Sequence, residues 1–145
     1  MATYYNDDTQ IYFNGEFVRA ADAKVDLYGQ TLHYGYGVFE GIRSYKTVSG
    51  ETSIFKAVEH YERLLQSAAA LNLPFKYDVN QLIAANYELL RLNQLQDAYI
   101  RPLIYAPANM SFSPNSESYL MIAAWKMEPF LGNRLLKVMT SSFQR

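Results

Sequence analysis

Two helical patterns stand back to back between runs of strand pattern, and that order restricts the fold more than any single motif. From Ala57 the apolar residues Val58, Tyr61, Leu64 or Leu65, Ala68 and Leu71 share one stripe at helical spacing, opposite Glu59, Glu62, Arg63 and Gln66. This helix ends before Pro74. A second begins at Asp78, where Asp78-Val79-Asn80-Gln81 has capping-box spacing, and runs to about Asn93 with Leu82, Ile83, Tyr87, Leu90 and Leu92 as its apolar face. Ahead of the pair, Ile11-Tyr12-Phe13 and Glu16-Phe17-Val18-Arg19 flank Asn14-Gly15, the signal of a two-residue β-hairpin, whose central residues need positive φ. Leu32 to Tyr45 reads as a β-rich segment and Thr52 to Lys56 as its returning strand. Behind the helices, strands are expected at Ala98 to Tyr105, Ser118 to Met127 and Leu135 to Ser141. With no alternating strand–helix rhythm, the pattern predicts an α+β domain: a mainly antiparallel sheet with two consecutive helices on one face. The loop Ala106 to Glu117, rich in Pro, Asn and Ser, reads as an exposed excursion.

Composition removes several function classes. A chain of 145 residues with 50% hydrophobic residues can bury a core without disulfides or a metal, which excludes intrinsic disorder. A net charge of −1 offers no electrostatic footprint for nucleic acid. No apolar stretch approaches the ~20 residues of a membrane span, and the first ten residues resemble no signal peptide, so the expectation is a cytoplasmic protein without membrane or nucleic-acid partners. The absence of Cys excludes thiol catalysis and thiolate metal sites, and two His are too few for a His-rich cage, so no metal centre is expected. His33 and His60 read as hydrogen-bonded structural groups. The aromatic share is high: 13 Tyr, 8 Phe and 1 Trp, suited to surfaces apolar in body and polar at the tip.

Nucleophile elbows, phosphate-binding loops and zinc-protease motifs are absent. Gly35-Tyr36-Gly37 begins like a phosphate cradle but lacks the third Gly and the following helix, which favours backbone crowding as its reason. Arg101 is more informative. Period 2 places it on one strand face with Tyr99, Leu103 and Tyr105. A half-buried guanidinium is costly unless paired, so either an internal carboxylate, the commoner solution, or a ligand anion must meet it. Pro102 cannot donate to a ladder and suggests a sheet edge or a bulge. Arg63, on the polar stripe of its helix, reads by itself as a solvated charge.

Leu32-His33-Tyr34-Gly35-Tyr36-Gly37-Val38-Phe39-Glu40-Gly41-Ile42-Arg43 closely resembles the signature near the N-terminus of branched-chain amino acid aminotransferases, fold-type IV pyridoxal-phosphate enzymes. Ile11 to Val18 is similar to that family's opening hairpin, and His60-Tyr61-Glu62-Arg63-Leu64 to the helix that carries its phosphate-binding arginine. Tyr99-Ile100-Arg101-Pro102-Leu103 and Ile122-Ala123-Ala124-Trp125 continue in register, so the resemblance covers about Asp8 to Arg145.

The resemblance implies roles residue by residue. Arg63 would bind the phosphate of pyridoxal 5'-phosphate, which displaces its reading as a solvated charge. Phe39 and Gly41 would line the substrate side-chain pocket. Tyr99 and Arg101 would position substrate carboxylates, Arg101 meeting the distal carboxylate of glutamate or 2-oxoglutarate. Phe130 falls where many members have a pocket Tyr. Tyr34, and Phe112 in the long loop, would reach the neighbouring active site of a homodimer. The implied reaction moves the amino group of Leu, Ile or Val to 2-oxoglutarate, as in branched-chain amino acid biosynthesis. A D-amino acid aminotransferase or an aminodeoxychorismate lyase of the same fold is the alternative, as is a non-catalytic dimerisation or binding module. The family's Schiff-base Lys lies beyond the strand ending in Ser-Ser. Lys24, Lys46, Lys56, Lys76, Lys126 and Lys137 match none of its catalytic contexts, so no catalytic residue is expected among residues 1–145, which read as the N-terminal small domain of a longer enzyme.

Overall fold

A computed structural model of the chain describes residues 4–111, 113–127, 135 and 137–142. The opening hairpin of β1 (Gln10–Phe13) and β2 (Glu16–Arg19) turns at Asn14, with φ 51°, and Gly15, with φ 104°, as the Asn-Gly signal requires. The chain continues through α1 (Gln30–Tyr34), β3 (Gly37–Phe39), β4 (Ile42–Lys46) and β5 (Thr52–Ile54). Two long helices follow, α2 (Ala57–Ala70) and α3 (Val79–Leu92), and then β6 (Ala98–Tyr105) and β7 (Tyr119–Lys126). Among the described residues the strands form one antiparallel sheet in the order β2-β1-β7-β6-β4-β5, with β3 also paired to β6. The structure is thus the α+β arrangement the pattern implies.

Alternation along β6 decides which face is which. Ala98, Ile100, Pro102 and Ile104 are buried against the helices, together with Ile42 of β4 and Leu120 and Ile122 of β7. Helix α2 buries Tyr61, Leu64 and Ala68, the expected stripe, while Val58 at its start stays exposed. Helix α3 carries the capping box, Asp78 Oδ1 accepting from Gln81 N at 2.9 Å and Gln81 Oε1 from Asp78 N at 3.1 Å. Its buried face is Leu82, Ala85, Asn86, Leu89 and Leu90, so it is rotated from the expected one: Tyr87 is exposed and Leu92 only half-buried. The rotation follows from a polar core contact, in which fully buried Asn86 donates from Nδ2 to the Tyr61 hydroxyl at 2.6 Å.

Two expectations require correction. Leu32, His33 and Tyr34 belong to α1, not to a strand. This short helix has no side-chain N-cap and is fixed from outside, by Gln30 N donating to Pro107 O at 3.1 Å, Gln30 Nε2 to Ser111 O at 2.9 Å and Asn115 Nδ2 to Gln30 Oε1 at 2.6 Å. Those same bonds tie Pro107, Ser111 and Asn115 to α1, so the described residues of the 106–117 loop, mostly exposed as expected, are also docked. Asn109 organises its turn, with Oδ1 accepting from Ser111 N at 3.0 Å and Nδ2 donating to Ser113 O at 3.2 Å. Finally, Leu135 and residues 137–142 lie in no strand, and Leu135, Val138 and Met139 are exposed. A strand needs a partner for its backbone groups, and these residues have none of the sheet's ladders beside them.

The first helical turn of α3 rests on Asp78. Replacing Asp78 with Ala is expected to cost about 1 kcal/mol, seen as a lower urea midpoint at unchanged denaturant slope.

Candidate active site

Pro102 lies in the sheet's interior, between β7 and the β3/β4 pair, not at its edge. Its missing donor falls where β3 ends and β4 begins: Phe39 pairs with Leu103 and Ile42 with Ile100, and between them Glu40 N donates to Pro102 O at 3.2 Å. The register is kept across the gap, so the side chains of Phe39 and Glu40 fall on opposite sides of the sheet and Gly41 lies on the side of Phe39. Phe39 and Gly41 meet β6 residues on the sheet's open face, and Glu40 points to α2.

On the open face, the Arg101 guanidinium lies 4.4 Å from the Phe39 ring centroid and 5.1 Å from that of Tyr99, and its Nη2 donates to the Tyr99 hydroxyl at 2.8 Å. Tyr99 in turn stacks on Trp125 at 4.9 Å. Gly41 has a steric reason here, because a Cβ at that position would overlap the Tyr99 hydroxyl. The expected internal carboxylate is not found: among the described residues none pairs with Arg101, and its Nε is buried without a partner. Arg43, opposite Tyr99 in the register, repeats the pattern, with Nη2 donating to Met127 O at 3.1 Å and a buried, unpartnered Nε. Two guanidiniums on an aromatic face, with no counter-charge among the described residues, form a place for an anion. Arg43 and Trp125 were given no role by the sequence reading, although both stand inside quoted motifs. Beside the cluster a cleft of about 570 Å³ runs along the open face, its lining including Phe13, Leu103, Tyr105, Tyr119 and Met121.

On the helix side, Arg63 reaches Glu40 as a fork, Nε to Oε1 at 2.6 Å and Nη2 to Oε2 at 2.6 Å, and His60 Nδ1 lies 2.8 Å from the same Oε2. The Glu40 side chain is 6% exposed and that of Arg63 44%. Arg63 is therefore an ion-paired cation with partial access to solvent, not a free one. Burial by itself would raise the Glu40 carboxyl, but the hydrogen bonds and charges of Arg63 and His60 outweigh it and hold the group below its ordinary range. The same bond raises Arg63 above its usual value, against a smaller opposing effect of burial. Sequence reasoning missed Glu40, since its partners lie 20 and 23 residues away; the one available signal was a lone acid between strand-like neighbours. His60 is a hydrogen-bonded structural group as expected, and so is His33, whose Nε2 lies 2.8 Å from Leu27 O.

Tyr34 sits apart from both clusters. It is half exposed on α1 and lines a cleft of about 640 Å³ with Gln30, Tyr36, Asn72, Ser113 and Asn115. Gly35, at φ 67°, ends α1 in a left-handed conformation with open space around it, so the expected backbone crowding holds at Gly37 alone, where a Cβ would press on Thr31 and Ile104 O. Phe112 and Phe130 lie outside the described residues. No helix among the described residues is long and apolar enough to cross a membrane.

The fold agrees with what known proteins show. A family model for amino-transferase class IV matches residues 37–145, and the chain belongs to that family. The branched-chain-amino-acid aminotransferase of Pseudomonas aeruginosa is 38% identical over 144 residues, covering 95% of this chain and 47% of the relative. The Escherichia coli K12 protein of the same name is 39% identical over 142 residues, covering 93% and 46%. The chain thus spans about half the length of the curated relatives it matches. Among solved structures, the Escherichia coli branched-chain amino acid aminotransferase aligns with TM-score 0.81 and 38% identity over 87% of this chain and 42% of that one. A second solved branched-chain amino acid aminotransferase, complexed with N-(5'-phosphopyridoxyl)-L-glutamate, aligns with TM-score 0.78 and 36% identity, covering 83% and 41%.

Two outcomes follow from the geometry. Gly41→Ala should displace the Tyr99 ring and break its bond to Arg101, with about 1–3 kcal/mol of overpacking cost; a crystal structure of the variant and a thermal melt check this. Because folding lowers the Glu40 pKa, its stabilising effect is complete above the ordinary glutamate range and is lost on acidification as the carboxyl takes up a proton. The stability difference between the wild type and Glu40→Gln should therefore shrink between about pH 6 and about pH 3, measured by melting across that range.

Proposed function

We propose that this chain forms the N-terminal small domain of a cytoplasmic, homodimeric, pyridoxal-5'-phosphate-dependent branched-chain amino acid transaminase, which moves the amino group of Leu, Ile or Val to 2-oxoglutarate. The observation that carries the reading is Arg101: a cation without a carboxylate partner among the described residues, its buried Nε unsatisfied, set among Phe39, Tyr99 and Trp125. Such a surface suits both halves of the exchange. Ring faces pack on an aliphatic branch, and the guanidinium with the Tyr99 hydroxyl meets the distal carboxylate of glutamate or 2-oxoglutarate. The family and the names of the relatives support it, as does the phosphopyridoxyl-glutamate held by the second solved relative.

The residues present fit the cofactor on one decisive point. A phosphate asks for a planar, permanently charged donor fork, and Arg63 offers one whose side-on edge is already fixed and whose other edge faces outward. When bound, pyridoxal 5'-phosphate supplies an electron sink for the carbon that carries the amino group. Arg63 would hold its phosphate, while Phe39 and the space above Gly41 shape the side-chain pocket. Tyr34 and Phe112, the latter in the 106–117 loop, would serve the neighbouring subunit's site, and Phe130 would complete the pocket wall. None of Lys24, Lys46, Lys56, Lys76, Lys126 and Lys137 has the family's catalytic context, so the covalent lysine would come from the large domain.

The deciding experiment is a substrate panel on the complete gene product. L-leucine, L-isoleucine and L-valine with 2-oxoglutarate should turn over; activity confined to D-alanine or to aminodeoxychorismate would replace the reading with one of the alternatives of the same fold. Arg101→Leu should lower kcat/KM for 2-oxoglutarate by roughly 10–100-fold, the worth of a hydrogen bond to a charged group, and leave the leucine half-reaction nearer the wild type. A polypeptide of residues 1–145 should show no turnover, and borohydride should trap no pyridoxyl-lysine on it.

A further inference from the structure

We infer that Glu40, assisted by His60, is a positioning residue that aims Arg63 at the cofactor phosphate, an assignment that rests on the phosphate reading of Arg63. An arginine has two bidentate edges. Glu40 occupies the side-on edge, taking Nε and Nη2 at 2.6 Å each, and leaves the end-on edge with Nη1 to point away. The occupied edge is the buried one, because the carboxylate is 6% exposed while the Arg63 side chain is 44% exposed. An arginine on a helix surface otherwise samples many rotamers; here both of its possible partners have separate sides, so the phosphate meets a fork whose orientation is settled before it arrives.

His60 contributes from the same helix. Its Nδ1 is 2.8 Å from Glu40 Oε2 and 2.9 Å from Arg63 Nη2. With the proton on Nδ1, His60 donates to Oε2, so that this carboxylate oxygen takes bonds from both α2 residues while Oε1 is left to Arg63 Nε. A carboxylate this buried could have been replaced by a hydrophobic residue if only the core mattered. Its position on the interrupted ladder, one residue from both Phe39 and Gly41, ties the orientation of Arg63 to the segment that builds the opposite site.

The test uses the apo form of the complete gene product, titrated with pyridoxal 5'-phosphate and, separately, with inorganic phosphate as a probe of the phosphate subsite alone. Arg63→Ala should weaken both ligands. Glu40→Gln should weaken both by about tenfold, the lower range seen when a supporting partner is removed, and Glu40→Gln should have no further effect in the Arg63→Ala background. Wild-type affinity in Glu40→Gln, with Arg63→Ala weakened, overturns the positioning role and spares the phosphate reading; wild-type affinity in Arg63→Ala overturns the phosphate reading, and the positioning role with it. An equal loss from Glu40→Gln in both backgrounds indicates a merely structural carboxylate and also overturns it. If Glu40→Gln does not fold, His60→Ala decides: a weaker phosphate affinity supports the role, and an unchanged one refutes it.

Discussion

The break in the ladder opposite Pro102 is the constraint on which the rest of the site depends. In an uninterrupted antiparallel pair, a continuous strand would run from Gly37 to Lys46 beside β6. Because Pro102 offers no N–H, the partner strand divides into β3 and β4, and Glu40 and Gly41 cross the gap with one bond, Glu40 N to Pro102 O. The register is kept on both sides, so alternation survives through the gap. A single tripeptide therefore serves two faces: an aromatic and a glycine for Arg101, and an acid for Arg63. Moving the segment by one residue would exchange these assignments and bury Phe39 against α2 while presenting Glu40 to Arg101.

The two arginines are stabilised by opposite means. Arg63 has a carboxylate, two bonds to it and substantial exposure, so the charge of Glu40 is matched where water is scarce and the cation keeps access to solvent. Arg101 has no such partner among the described residues. Ring faces at 4.4 and 5.1 Å and one phenolic oxygen hold it, contacts each worth about 0.5–2 kcal/mol. Aromatic contacts fix the guanidinium without cancelling its charge, which a carboxylate would do.

Legibility in the sequence followed the range of the deciding interaction. The hairpin at Asn14-Gly15 and the capping box at Asp78 are local, and both formed where the residues indicated; so did β6, whose alternation needs only a covered face. Helix α1 was misread because Leu32-His33-Tyr34 alternates apolar and polar residues as a strand does, and the bonds that fix the helix come from Pro107, Ser111 and Asn115. The face of α3 was misjudged because Asn86 is polar by type yet buried by its bond to Tyr61. At the site, Arg101 was visible as a cation on a strand, and the question of its partner had two answers until the surrounding side chains were placed. Glu40 could not be assigned a task from sequence, since a buried acid is recognised only once the arginine that neutralises it stands beside it.

The aromatic content acquires its meaning from this contrast. Under the proposed function the pocket would alternate between an aliphatic side chain and a carboxylate; it could then hold no permanent counter-ion, because the carboxylate ligand would compete with it, and no bare buried cation, because the aliphatic state would leave that cation unsolvated. Rings resolve both demands. Phe39 and Tyr99 present faces that attract the guanidinium when no anion is present and remain apolar contact surface when a hydrocarbon branch replaces it. The Tyr99 hydroxyl lies against Arg101 and needs the bare backbone of Gly41 to do so. The glycine is thus part of the charge arrangement as much as of the pocket's shape, and a side chain there would alter what Arg101 can bind before it altered how much room the pocket has.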